Sequence, residues 1–235
     1  MQYIYIIETV MALKVLVVAA TDAEAGALKK IPGIKPVSQA YLLGGCEISL
    51  LVTGVGSMET SWAMNKWFSA NTKPDLALNI GIAGSYNENI RIGDVVLPVS
   101  DCFADAGVEA GDGFSTLWEA GLTDPDTFPF SGGRIRSGNS FVNLAASFLR
   151  TVNAITVNCA TGSEVTKERL QKKFNPDIET MEGATFFYIC SGETLPFLAF
   201  RAISNKVEKR DTTRWNIPLA LRNMSEKLGE FLLKI

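Results

Sequence analysis

The chain has 235 residues, of which 47% are hydrophobic, and a formal net charge of −3. This length corresponds to one or two domains, and the acidic balance argues against nucleic acid or an anionic membrane as a partner, because both need a basic face. The chain contains no histidine, which excludes Ser-His-Asp and Cys-His catalysis and histidine-containing zinc sites. Acid–base chemistry must come from carboxylates, Lys, Tyr, Arg-tuned groups or bound water.

The cysteines predict a reduced, cytoplasmic protein. The four are far apart in the sequence and form no CxxC pair: Cys46, Cys102, Cys159 and Cys190. Such spacing is not typical of a zinc ribbon or a thioredoxin-type motif, and a large chain with few cysteines is typical of the cytosol. We expect four buried free thiols and no bound metal or other cofactor.

The first twenty residues are apolar but do not fit a secretory signal or a membrane span. Glu8 and Lys14 interrupt them, and no positively charged region precedes them. Met11 is an alternative start, so Met1–Val10 is interpreted as an N-terminal extension. No repeat or Pro/Ser-rich linker divides the rest, so residues 11–235 are predicted to form a single domain.

Short apolar runs rich in β-branched residues alternate with helical patterns along the chain. Buried strands are predicted at Leu13–Ala20, Ile48–Thr53, Leu76–Ile80, Val152–Asn158 and Phe197–Ile203. Helices are predicted at Asp22–Lys30, Ser57–Ser69, Val142–Arg150, Val165–Phe174 and Met181–Ser191. This alternation predicts a three-layer α/β/α fold, in which a mostly parallel central sheet carries helices on both faces.

The pattern of a final helix is the clearest in the chain. Asn216 suits its N-cap and Pro218 its first turn. One apolar stripe follows, at spacings of 4, 3 and 4 residues: Met224, Leu228, Phe231 and Ile235. By contrast, Asp101–Gly133 is rich in Gly, Asp and Pro, and is predicted to be a long functional or interfacial excursion.

Three predicted strands end in glycine-rich or acidic turns, at Thr21–Glu24, Gly54–Ser57 and Gly81–Ser85. The carboxyl ends of parallel strands form the ligand crevice of such sheets, and glycines there let a ligand approach the backbone. Neither glycine cluster matches the dinucleotide or P-loop motif. Each turn by itself also fits a plain connection between a strand and a helix.

Charged residues inside apolar segments add two further candidates. Glu182 precedes a helix that is apolar almost all round, where a carboxylate in the first turn could also simply complement the helix dipole. Arg201 lies within the apolar run Phe197–Asn205 and needs a carboxylate partner if it is buried. Glu24 is an available candidate for that partner.

Taken together, these segments resemble one family. In their order and spacing, GVGSMET, NIGIAGS, IRIGDVVLP, ETMEGATFFYIC and FRAISN are similar to the purine nucleoside phosphorylase and nucleosidase superfamily. The resemblance covers Leu13–Ile235 and implies a nucleoside phosphorylase/hydrolase-like fold. The run Arg214–Ala220 further resembles the futalosine hydrolase branch, which belongs to menaquinone biosynthesis.

The resemblance implies three catalytic residues. Glu24 matches the carboxylate that positions and activates the attacking water, and Arg201 matches the arginine that orients that site. Asn205 occupies the position that contacts purine N7 and the exocyclic group. An amide can accept from N7–H and donate to a 6-oxo group, so hypoxanthine is the expected leaving base.

The resemblance also implies a set of substrate-binding residues. Met181 and Glu182 match the pair that binds ribose, and Trp215 matches an aromatic residue that closes over the ligand. The remaining matches line the pocket: Val55, Ala83, Gly84 and Ser204. The carboxylate of futalosine needs a cation, for which the candidates are Lys206, Lys209, Arg210 and Arg214.

Hydrolysis is favoured over phosphorolysis. Phosphorylases need cations around phosphate, but Asn79 and Ile82 stand where similar phosphorylases have Arg and Ser, and the first turn carries two acids. The expected reaction is therefore hydrolysis of futalosine to hypoxanthine and dehypoxanthinyl futalosine. The alternatives are another 6-oxopurine nucleosidase or phosphorylase, a 5′-methylthioadenosine/S-adenosylhomocysteine nucleosidase, and a catalytically silent nucleoside-binding protein.

The expected partners are a small purine nucleoside and further copies of the chain. The family assembles as dimers to hexamers with sites near subunit interfaces, so the resemblance implies a homo-oligomer. The excursion Asp101–Gly133 is the expected interface element.

Overall fold

A computed structural model describes residues 12–111 and 113–235. The strands are β1 (Leu13–Ala19), β2 (Lys35–Val37), β3 (Ala40–Leu43), β4 (Cys46–Val52), β5 (Leu76–Ser85), β6 (Val95–Asp101), β7 (Gly107–Ala110), β8 (Gly113–Thr116), β9 (Ile135–Arg136), β10 (Arg150–Thr156), β11 (Ile178–Thr180) and β12 (Phe197–Lys206). The α-helices are α1 (Asp22–Lys29), α2 (Ser57–Ala70), α3 (Ser140–Ala146), α4 (Glu164–Phe174), α5 (Gly183–Gly192) and α6 (Ile217–Leu232). The proposed extension Met1–Val10 lies outside the described residues.

The central sheet confirms the predicted α/β class. Its main path runs β11-β10-β6-β12-β5-β1-β4-β3-β2, with β9 beside β6, and the pairs at its centre are parallel. The alternating residues of β1 explain the helices on both faces. Val15 and Val17 pack in a cluster with residues of α1, α3 and α6, whereas Leu16 and Val18 pack with Met64 of α2 and residues of α5.

One part of the sheet closes on itself, which the sequence did not predict. β11 pairs with β10 in parallel and also with the end of β5 in antiparallel fashion, through Ile178 with Ser85 and Glu179 with Gly84. The prediction ended β5 at Ile80 because Gly, Ala and Ser are poor strand formers. The strand instead continues to Ser85, and the added residues reach β11.

Two helix predictions need correction, and one is confirmed. The helix predicted at Val142–Arg150 is wrong at its end, because α3 stops at Ala146 and Arg150 begins β10. The helix predicted from Met181 begins at Gly183. In α6 the predicted N-cap is confirmed, since Asn216 Oδ1 accepts a 3.1 Å hydrogen bond from the Leu219 N–H.

The predicted excursion Asp101–Gly133 contains a hairpin of β7 and β8. The excursion contacts α4, because Nζ of Lys173 in α4 lies 2.6 Å from Oε2 of Glu119 in the excursion. The role of the excursion as a subunit interface stays a prediction.

The expectation of four buried thiols is wrong for Cys159, which is exposed in the turn after β10, while the other three cysteines are buried. In the ranges described, no helix is long and apolar enough to cross a membrane.

Candidate active site

A cavity of about 390 Å³ lies at the carboxyl ends of β1, β4, β5, β11 and β12. Nine of the predicted site residues line it: Glu24, Val55, Ala83, Gly84, Met181, Glu182, Ser204, Asn205 and Trp215. A larger groove of about 670 Å³ lies over α2 and α5 and contains none of these residues. The smaller cavity is the candidate active site because the polar groups converge there.

Glu24 is fixed at the start of α1 by a capping box with Thr21. Its Oε2 accepts hydrogen bonds from the Thr21 N–H at 3.0 Å and the Thr21 hydroxyl at 2.8 Å. Its Oε1 accepts from the backbone N–H of Ile82 on β5, at 3.0 Å. A carboxylate has about four lone-pair sites, so one site on Oε1 is left for a water molecule.

Glu182 lines the same cavity as Glu24 and lies close enough for their charges to interact. We call the part of the cavity defined by these two carboxylates the sugar end, because the sequence resemblance predicts ribose there. Oε1 of Glu182 accepts a 2.8 Å hydrogen bond from the Gly56 N–H. Gly56 has φ +94, a conformation that favours glycine. Burial raises the pKa of Glu182, and the negative charge of Glu24 raises it further, while the Gly56 N–H and Arg201 lower it.

Arg201 does not line the cavity, and its predicted ion pair with Glu24 is wrong. Its Nη1 donates to the carbonyl oxygens of Asn79 and Phe200, at 3.0 and 3.1 Å, and its Nη2 donates to Oδ1 of Asn79. The neighbouring strand β5 therefore satisfies the guanidinium directly. A Cβ placed on Gly81 would lie 2.9 Å from Glu24 Oε1 and 3.7 Å from Arg201 Nη1. Burial lowers the pKa of Arg201, and the negative charges of Glu182 and Glu24 raise it, so Arg201 and Glu24 interact through their charges.

Asn205 lies at the other end of the cavity with its amide orientation fixed. Its Oδ1 accepts a 2.7 Å hydrogen bond from the Ser204 hydroxyl, and its Nδ2 donates to the carbonyl oxygen of Lys206 at 2.8 Å. Because a carbonyl only accepts, the nitrogen of the amide must face Lys206. One lone pair of the oxygen and one N–H of the nitrogen have no hydrogen-bond partner among the described residues.

Trp215 is half-buried and lines the cavity, and the guanidinium of Arg210 lies 5.3 Å from the centre of its ring. Of the four cations proposed for a substrate carboxylate, Arg210 is the one that lines the cavity. Lys206 and Arg214 pair with nearby carboxylates instead, and Lys209 is not part of the lining.

Sequence reasoning missed several polar groups around the cavity. Glu179 and Thr161 line it. The sequence signal for Glu179 was a charged residue directly after Ile178, in the segment that forms β11, because a charge that becomes buried needs partners. Asn79, considered only as a phosphate position, binds Arg201. Asp101 is fully buried behind α5, and its pKa is raised to about 7 by burial, against the lowering effects of Arg134 and Thr156.

Comparison with known proteins identifies the family. The sequence profile described as "Phosphorylase superfamily" matches residues 14–235. The chain belongs to this superfamily. This membership confirms the resemblance inferred from the sequence motifs.

In the part of the chain that the structure describes, no group of three or more Cys, Asp or Glu side chains is arranged to hold a metal ion.

Two kinds of curated relative stand out within the superfamily. A futalosine hydrolase from Acidothermus cellulolyticus is 29% identical over 91% of this chain and 88% of its own length. A 5′-methylthioadenosine/S-adenosylhomocysteine nucleosidase from Buchnera aphidicola is 26% identical over 94% of this chain and 97% of its own. Similarity at this level does not choose between the two activities.

Solved structures agree on the fold. The native futalosine hydrolase of Helicobacter pylori superposes with a TM-score of 0.79 at 17% identity, over 96% of this chain and 99% of its own. A 5′-methylthioadenosine/S-adenosylhomocysteine nucleosidase of the same organism also superposes with a TM-score of 0.79 at 16% identity, over 95% of this chain and 99% of its own. Both likenesses show the α/β fold with its mostly parallel sheet.

Proposed function

We propose that the protein is a futalosine hydrolase that releases hypoxanthine and dehypoxanthinyl futalosine. The observation that carries this proposal is the fixed amide of Asn205, whose free lone pair and free N–H match N7–H and O6 of a 6-oxopurine. With a 6-aminopurine, the free N–H of the amide would face another NH₂ group and leave a buried donor unpaired.

The broader activity is common to both kinds of curated relative. The chain is a nucleosidase of the phosphorylase superfamily, a hydrolase that acts on N-glycosyl bonds. The finer choice of substrate is what the proposal adds. A catalytically silent nucleoside-binding protein is disfavoured, because such a protein has no need for a carboxylate fixed by three hydrogen bonds with one acceptor site left free.

Water is the proposed nucleophile because the sugar end offers phosphate no cation. Among the described residues that line the cavity, Arg210 is the one Lys or Arg, and it lies beside Trp215 rather than between the carboxylates. Asn79 is used by Arg201, and Ile82 donates its N–H to Glu24. Two facing carboxylates would repel a phosphate dianion.

The proposed mechanism follows from the bond that breaks. As the water oxygen bonds to the anomeric carbon, the C–N bond breaks and its electron pair leaves with the base, so positive charge develops on the ribose. Glu24 accepts a proton from the water, and Glu182 accepts hydrogen bonds from the ribose hydroxyls. Asn205 stabilises hypoxanthine protonated at N7, and that proton comes from solvent because an amide has none to give.

Arg210 supports the choice of futalosine over other 6-oxopurine nucleosides. The substrate carries a carboxylate on its 5′ side, and Arg210 is the lining cation, placed over the ring of Trp215. An arginine can pair with a carboxylate through two parallel hydrogen bonds. Inosine and guanosine lack the group that this cation would bind.

The test is to incubate the protein with futalosine, inosine and 5′-methylthioadenosine, each with and without inorganic phosphate. We expect free hypoxanthine from futalosine at a rate that does not depend on phosphate. Preferred release of adenine from 5′-methylthioadenosine would indicate the activity of a 5′-methylthioadenosine/S-adenosylhomocysteine nucleosidase instead. Base release that requires phosphate and yields the 1-phosphate of the substrate's own sugar (ribose 1-phosphate from inosine) would make the protein a phosphorylase. Absence of base release from every substrate would favour a nucleoside-binding protein without catalytic activity.

A further inference from the structure

A third carboxylate, that of Glu179, lines the cavity, and the proposed mechanism does not use it. Glu179 is 7% exposed. Its Oε1 accepts a hydrogen bond from the Thr161 N–H at 2.8 Å, and its Oε2 accepts from the hydroxyls of Thr161 and Tyr86, at 2.5 and 2.9 Å. These bonds use three of about four acceptor sites, so one site on Oε1 is free.

The sheet register places Glu179 and Asn205 on either side of one glycine. Gly84 on β5 is paired with Asn205 on β12 and with Glu179 on β11. Residues directly opposite each other on neighbouring strands point to the same face of a sheet. With strands roughly 4.8 Å apart, the two polar residues stand about 10 Å apart at their Cα atoms, and Gly84 lies between them.

Gly84 has no side chain, and this lets Asn205 and Val207 approach its backbone closely: a Cβ at this position would lie 3.2 Å from Asn205 Nδ2 and 2.9 Å from a methyl group of Val207. Glu179, Gly84 and Asn205 all line the cavity. A flat heterocycle bound in this part of the cavity therefore has the amide of Asn205 at one edge and the carboxylate of Glu179 at another. We call Asn205, Gly84 and Glu179 the base end of the cavity.

We propose that Glu179 is a specificity-determining residue that accepts a hydrogen bond from N1–H of a 6-oxopurine, a role that rests on the proposed function. N1 of hypoxanthine carries a proton, whereas N1 of adenine carries a lone pair. The free acceptor site of the carboxylate pairs with the first and repels the second. Asn205 and Glu179 thus select the 6-oxopurine from the two edges of the ring that meet at O6.

Binding of free bases tests this role without depending on the 5′ group of the substrate. Calorimetry would give Kd for hypoxanthine, adenine and 1-methylhypoxanthine with the wild type, Glu179→Gln and Glu119→Gln. Glu119 is a matched control, because it also accepts from the N–H and the hydroxyl of one threonine, Thr116, and it does not line the cavity.

For the wild type we expect hypoxanthine to bind roughly 10- to 100-fold tighter than adenine and than 1-methylhypoxanthine, since a hydrogen bond to a charged group is lost in both cases. Glu179→Gln should narrow the ratio of adenine to hypoxanthine Kd at least 10-fold, because glutamine can turn its NH₂ toward N1 of adenine. Glu119→Gln should leave the ratio unchanged.

A purely structural role for Glu179 predicts a different pattern. Its variant would then melt at a lower temperature but keep the wild-type ratio of the two Kd values, and this result would overturn the proposal. If the variant does not fold, equal binding of hypoxanthine and 1-methylhypoxanthine to the wild type would overturn it as well. If the wild type hydrolyses futalosine but Glu179→Gln leaves the ratio of adenine to hypoxanthine Kd unchanged, only the role of Glu179 is contradicted. If the ratio changes as expected but the wild type does not hydrolyse futalosine, only the proposed activity is contradicted.

Discussion

The two ends of the cavity differ in the hydrogen-bond donors that predominate there. At the sugar end, the donors to Glu24 and Glu182 are mostly backbone N–H groups, those of Thr21, Ile82 and Gly56, together with the Thr21 hydroxyl. At the base end, Asn205 is held by the hydroxyl of its neighbour Ser204, and Glu179 by two further hydroxyls and one N–H. A backbone N–H donor is present whatever side chain its residue carries, whereas a hydroxyl donor is lost when its Ser, Thr or Tyr is substituted. The comparison predicts that the sugar end sets the reaction and the base end sets the choice of base.

The largest effect is expected at the sugar end. Glu24→Gln should keep the fold, because glutamine also completes a capping box, but it removes the acceptor of the water proton. We expect kcat to fall on the order of 10²- to 10⁴-fold, measured as hypoxanthine release under saturating substrate. Asp22→Asn is the control, since Asp22 lies exposed on the same helix and should keep normal turnover. Near wild-type kcat in Glu24→Gln would contradict the assignment.

The next effect concerns the buried support of the sugar end. Asp101 Oδ1 accepts from the Thr156 hydroxyl, which in turn accepts from the N–H of Ala184 in the first turn of α5. Burial raises the pKa of Asp101 to about 7, against about 3.9 in an unfolded chain. The folded protein therefore binds this proton more tightly than the unfolded chain does.

The sign of the pH dependence follows from that difference. The stabilisation is lost as the pH rises from about 4 to about 7, because the unfolded chain ionises first. Asp101→Asn cannot titrate, so the unfolding free energies of wild type and variant should diverge by on the order of 4 kcal/mol across this range. Urea titrations at several pH values measure this. A difference that is constant from pH 4 to pH 8 would show that Asp101 does not titrate there.

At the base end the expected effect is smaller. The wild type should prefer 6-oxo over matched 6-amino nucleosides by roughly 5- to 150-fold, since the wrong base leaves a buried donor unpaired at a cost of about 1–3 kcal/mol. Asn205→Asp should narrow or invert this preference, because a protonated Asp can donate to N7 of adenine. The measurement is kcat/KM for both substrates on both forms. An unmoved ratio would remove Asn205 from base selection and with it the contrast between the two ends.

The smallest effect is expected at Trp215, which is half-buried and lines the cavity. Trp215→Ala should raise KM for futalosine about 10-fold with little change in kcat, because a half-buried aromatic contact contributes less than a central anchor. Trp62→Ala is the matched control, since Trp62 is 65% exposed on α2 and does not line the cavity. A lower melting temperature with unchanged KM would mean that Trp215 only supports the start of α6.

Much of the fold and of the sugar end could be predicted from sequence because the signals are local. The apolar run of β1 and the capping side chain of Asn216 lie within a few residues of the structure that they specify. Glu24 was found because it follows a predicted strand at a turn, where the carboxyl ends of parallel strands form a ligand crevice. Glu182 was found because it precedes an apolar helix, and both residues also match the motifs of the superfamily.

What only the tertiary structure decided are contacts between residues distant in the sequence. Arg201 bonds to Asn79, 122 positions away, although the sequence suggested a carboxylate partner. Glu179 reaches the cavity because β11 closes onto β5 beside Gly84, and Arg210 is selected among four cations by the position of its loop. Periodicity and capping specify each segment from its own residues, but the register between strands depends on how the whole sheet closes. The sequence by itself thus determined most of the elements and the two carboxylates proposed to act on the sugar, and the closure of the sheet decided which residues surround the proposed base site.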